Sequence, residues 1–136
     1  MARARSAVVN PLAMVICGSV SRDVRESHLY LHRLMGPIST AELPLRVSFS
    51  AYAALSEVRQ RFHAHFRVMD AEDNLVGSSL LTDHQVPADP LTETIIVEHF
   101  VDLEFRHFGS YFVQLWVNGQ SIMERRILIL DADTGN

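Results

Sequence analysis

Apolar and polar side chains alternate with a period of two along most of this chain, the pattern of half-buried strands whose successive side chains point to opposite faces. From position 45, Leu45, Val47, Phe49, Ala51 and Ala53 fall on one side, and Arg46, Ser48, Ser50 and Tyr52 on the other. A second run places Phe62, Ala64, Phe66 and Val68 inside and Arg61, His63, His65 and Arg67 outside. The short connection from Ala54 to Gln60 predicts that the two pair as an antiparallel hairpin. Arg46 would then lie near Arg67, Ser48 near His65, Ser50 near His63 and Tyr52 near Arg61.

Further strands are predicted over Leu12 to Val20, His28 to Met35, Leu75 to Leu81, Thr94 to Phe105, Gly109 to Val117 and Ser121 to Leu130. In the fourth of these, Ile95, Val97, Val101, Leu103 and Phe105 share a face, with His99 the polar exception. Asp70 to Asn74 is a turn cluster, since Asp and Asn bond their own backbone and tolerate left-handed conformations. Thr82 to Glu93, with Pro87 and Pro90, reads as the longest loop. Asn118-Gly119 is a strong hairpin signal, because both residues accept the positive φ of a type I′ turn. About eight strands and no convincing helix predict an all-β antiparallel sandwich in a single domain over 1–136, with tails at 1–11 and 131–136.

Three blocks carry a resemblance: Met14-Val15-Ile16-Cys17-Gly18-Ser19-Val20 with Leu29-Tyr30-Leu31-His32-Arg33-Leu34; Leu43-Pro44 running into Val47-Ser48-Phe49-Ser50-Ala51-Tyr52; and Phe105 through Gly109-Ser110-Tyr111 to the Asn118-Gly119 hairpin. From about Ala13 to Leu130 the chain resembles a family of small uncharacterised bacterial proteins with an immunoglobulin-like β-sandwich. The resemblance implies that fold and brings no functional residues with it. Gly109-Ser110-Tyr111 also resembles a tyrosine corner, in which a buried phenol bonds nearby backbone; a plain core aromatic after a turn glycine is the other reading.

Composition narrows the chemistry. Hydrophobic residues at 48% and charged residues at 21% are those of an ordered globular chain. The net charge is -4 and the basic residues are dispersed, which argues against nucleic-acid binding. All 12 basic residues are arginine, so Schiff-base and P-loop lysine chemistry is excluded. Cys17 is the only cysteine, which rules out an intrachain disulfide, and its apolar neighbours predict a buried thiol. Arg3 and Arg5 precede an apolar stretch from Ala7 to Val20, but Asn10 and Pro11 interrupt this outline of an export signal. The expected location is therefore the cytoplasm. No stretch is long enough to suggest a membrane partner.

His63 and His65 stand two apart on one strand face, a spacing that could chelate a metal, yet no third ligand can be named. No Gly-x-Ser-x-Gly elbow is present, and no cofactor or catalytic residue is expected. Two surfaces remain. One is polar, carrying Arg46, Arg61, His63, His65 and Arg67; the alternative expectation from it is a small-ligand, anion or metal-binding protein, or an enzyme, that uses the His63 and His65 strand face. The other is apolar, where Phe112 and Trp116 lie opposite the core set of their strand and Leu128 and Leu130 alternate outward from Ile127 and Ile129. Either the Thr82 to Glu93 loop covers this second face or another chain does. The leading expectation is a non-catalytic module that binds protein or itself, as a dimer, through Phe112, Trp116, Leu128 and Leu130.

Overall fold

The computed structural model describes residues 8–25, 28–89 and 91–134, and over these the chain is two packed β-sheets. The strands are β1 (Asn10–Asp23), β2 (His28–Leu34), β3 (Ile38–Thr40), β4 (Leu45–Ser56), β5 (Phe62–Asp70), β6 (Leu75–Ser78), β7 (Thr82–His84), β8 (Thr94–Phe105), β9 (Gly109–Val117) and β10 (Gln120–Asp131). A 3-10 turn, Ala132–Thr134, follows. The first sheet has the order β2-β1-β4-β8 and the second β3-β10-β9-β5-β6, with β7 also paired to β5. β4 and β8 facing β10, β9 and β5 is the arrangement of strands B and E against G, F and C in immunoglobulin domains. The all-β, immunoglobulin-like reading holds, with ten strands in place of eight. The added strands, β3 and β7, have three residues each. β1 begins at Asn10, inside the stretch expected as a tail, and Val9 is already in the core.

The core lies between the sheets and is built from the predicted inward sets. Phe49, Ala51 and Ala53 of β4 meet Phe62, Ala64, Phe66 and Val68 of β5 and Tyr111, Val113, Leu115 and Val117 of β9. Because β4 and β5 stand in different sheets, the expected hairpin does not form. The connection between them is an arch from one sheet to the other. Alternation alone does not separate a hairpin from an arch, because both put the same side chains in the core.

β8 also departs from the expected pattern. Val47 pairs with Leu103 but Phe49 pairs with Phe100, so β8 carries one extra residue, and Asp102 there has φ 51°. Such a bulge reverses the parity of everything before it. Ile96 and Phe100 point inward with Leu103 and Phe105, while Ile95, Val97 and His99 turn outward. Ser48 Oγ accepts from the Asp102 N–H at 2.9 Å and holds the bulge. Glu98, level with Ala51, shares the inner parity on this edge strand, and burial pushes its carboxyl above the usual range. An inward-facing charge and a bulge both discourage another strand from adding to an edge.

The turn predictions hold. Asn118 and Gly119 have φ 48° and 79°, as the type I′ hairpin between β9 and β10 requires. Asp70 accepts from the backbone N–H of Glu72 and Asn74 at 2.9 and 2.8 Å, and Asp73 has φ 65°. The tyrosine corner is present: the Tyr111 hydroxyl donates to the His107 carbonyl at 2.9 Å and accepts from its N–H at 3.1 Å. The Tyr111 ring packs edge-on to Phe105 in the core.

Candidate functional site

Cross-strand pairing brings residues that are distant in sequence into rows across the outer face of the second sheet. One row is His65, Trp116 and Ser121, the next is Arg67, Gln114 and Glu124, and the third is Met69, Phe112 and Arg126. Ser110 and Leu128 extend the face, and Leu130 lies beyond them at 40% exposure. The polar and apolar surfaces expected from the sequence are thus largely one surface. His65, Arg67, Phe112, Trp116 and Leu128 occupy it together. Arg46 does not, since it belongs to β4 in the other sheet and pairs with Glu104. Arg61 and His63 stand at the end of β5, where they line a shallow groove with Phe62, Asp83 and Asn118.

Trp116 stands on the middle strand of this face, in the row next to the Asn118-Gly119 turn, and its side chain is held on several sides. The Arg67 guanidinium carbon lies 4.4 Å from the centroid of its ring. The His65 ring is stacked on it with centroids 6.3 Å apart. The indole N–H donates to Gln114 Oε1 at 3.0 Å, and Gln114 Nε2 donates in turn to Glu124 Oε1 at 3.0 Å. Cation–π contact and hydrogen bonding together fix one rotamer of a large amphipathic ring. Phe112, Trp116 and Leu128 remain half-exposed. The Thr82 to Glu93 segment does not supply these contacts; its β7 pairs edge to edge with Phe62, His63 and Ala64.

His65 has an unusual setting. Its Nε2 accepts from Arg67 Nε at 3.2 Å, which assigns the ring proton to Nδ1. Nδ1 is buried, with no hydrogen-bond partner among the described residues. Burial, with Arg67 and then His63 adding to it, depresses the imidazole pKa below its ordinary 6.5. The ring at this position is held neutral, which keeps Arg67 in place over Trp116.

The backbone at this end of the sheet is pinned by Asn118. Its Oδ1 accepts from the His63 N–H at 3.0 Å, and its own N–H donates to the His63 carbonyl at 2.9 Å. The hairpin turn therefore continues the ladder between β5 and β9.

Sequence reasoning missed one polar pair. Ser50 Oγ and His99 Nδ1 are 2.6 Å apart on the outer face of the first sheet, where the bulge in β8 has brought the histidine. Ser50 is 1% exposed. Cys17, its neighbour across the strands, is buried, donates to the Ser19 carbonyl at 3.4 Å, and has its thiol pushed up by burial. Among the described residues no group of three His, Cys, Asp or Glu side chains is placed to hold a metal.

No protein-family model matches the chain, and no curated protein matches it. Its fold is similar to that of an immunoglobulin-like protein from Pseudomonas aeruginosa, over 90% of this chain and 97% of that one, at 14% identity and a TM-score of 0.42.

Proposed function

We propose that this chain is a non-catalytic protein-interaction module that associates with itself through the outer face of its second sheet. One observation carries the reading. A tryptophan stands partly exposed on the middle strand of a sheet face, its rotamer locked by Arg67, His65 and Gln114, with Phe112 two rows and Leu128 three rows further along the same face. Tryptophan and arginine are the residue types that dominate interface energetics. A side chain already fixed in the free protein loses little entropy on association.

Solution mass and thermal melting of the parent and of Trp116→Ala test this reading. The parent is expected to be a dimer, and the substitution to cost about 2 kcal/mol or more in association. The variant should remain a folded monomer, because Tyr111, Val113, Leu115 and Val117 still pack on the opposite side of β9. A variant with the parent's mass at every concentration would remove this face from consideration.

A further inference from the structure

We infer that the second copy is related by a two-fold axis running along β9, so that Arg67 of each chain faces Glu124 of the other. This rests on the self-association reading above and adds its geometry. Two sheets that pack face to face keep their strands roughly aligned, about 10 Å apart. A two-fold axis lying between them then has two simple directions, along the strands or across them, and the distribution of charge decides which.

β9 carries the apolar and amide residues Phe112, Gln114 and Trp116. The β5 side of the face carries the guanidinium of Arg67, with Arg61 just before the strand. The β10 side carries Glu124 and, one row on, Arg126. An axis across the strands through the Gln114 row would lay β5 over β5 and β10 over β10, bringing Arg67 against its own copy and Glu124 against its own, where like charges facing each other are costly. An axis along β9 exchanges the two sides instead. Each row then meets its own reverse.

In that arrangement Trp116 meets Trp116 of the second copy and Phe112 meets Phe112, both on the axis. The row of Arg67, Gln114 and Glu124 places Arg67 opposite Glu124 of the second copy and Glu124 opposite Arg67 of the second copy, giving two identical ion pairs. Met69 faces Arg126 of the second copy, so the cation on the β10 side does not meet Arg67. Arg67 uses one of its five N–H donors on His65, and Glu124 accepts from Gln114 through one of its two oxygens. Both groups keep capacity for a partner across the interface. Within one chain they are separated by the width of β9, with Gln114 between them.

Charge-reversed chains test the arrangement. Arg67→Glu leaves two carboxylates where the pairs would form, and Glu124→Arg leaves two guanidinium groups. Each variant alone should dimerise at least about a hundredfold more weakly than the parent, because both of its pairs become like-charged. An equimolar mixture should form a dimer of one chain of each kind, close to the parent's affinity, since both pairs are restored. The readouts are sedimentation for mass and native mass spectrometry of isotopically distinct chains for composition. Circular dichroism checks that each variant is folded. If either single variant does not fold, the chain carrying both changes is used, and it should dimerise like the parent. Folded variants that stay apart on mixing while the parent dimerises would overturn this axis and leave the self-association reading standing. A parent that is monomeric at about 100 μM, weaker than the micromolar affinity worth roughly 8 kcal/mol, would overturn both.

Discussion

Tyr111 ties the start of β9 to the backbone four residues upstream through a single oxygen atom that both donates and accepts. Tyr111→Phe keeps the ring in the core and removes only that oxygen. It should lower stability by about 1 to 2 kcal/mol, the usual cost of stranding backbone groups. Urea unfolding should show a lower midpoint with an unchanged slope. A midpoint equal to the parent's would mean that solvent replaces the bonds at no cost. His65 gives a second expectation at this scale. Its folded pKa lies below its unfolded value of about 6.5, so the unfolded chain takes up the proton first. Stability should therefore fall as pH drops below about 6.5 and level off only under the folded pKa. His65→Gln should flatten part of that fall, and the remainder belongs to groups such as His84, whose pKa burial also lowers. Denaturation midpoints at several pH values check this. Equal slopes for parent and variant would show that His65 is not held neutral.

Where β6 passes β8, the two sheets approach closely because Gly77 has no side chain. A Cβ there would stand 2.5 Å from Leu103 Cδ1. Gly77→Ala should cost about 1 kcal/mol, as Leu103 must move to a poorer rotamer. With Leu103→Ala in the same chain the clash disappears, and the two changes should be non-additive in a double-mutant cycle. Strict additivity would place the closing contact elsewhere. At this scale the sequence was a good guide wherever local chemistry decides the outcome. Asn118-Gly119, the Asp70 turn and the alternation of β4, β5 and β9 are all as read, because φ preference and burial act within a few residues. β8 departs from its alternation at Ile95, Val97 and Val101, which turn outward, since a bulge at the left-handed Asp102 reverses parity and the alternation does not announce it. β7 is not legible in the sequence, because three residues among prolines give no periodic signal.

Across the whole molecule, the candidate face was present in the sequence as two halves. Alternation shows which residues of one strand share a side, but not which strand lies next to it. His65 and Trp116 become neighbours only because β9 sits beside β5, and Arg46 leaves the set only because β4 crosses to the other sheet. A different long-range pairing governs how the molecule is assembled in time. β3 is parallel to β10, with Ile38 opposite Ile129, and has no other partner in its sheet. Joining them closes a loop that contains β4 through β9. Loop-closure entropy makes such distant contacts slow to form unless the intervening chain is already compact. The hairpin of β9 and β10 needs only the Asn118-Gly119 turn and forms early by comparison. The β3 to β10 seam closes the longest loop of any strand pair among the described residues and should accordingly be slow to zip, and until it does, β10 presents an open hydrogen-bonding edge to any neighbouring nascent chain.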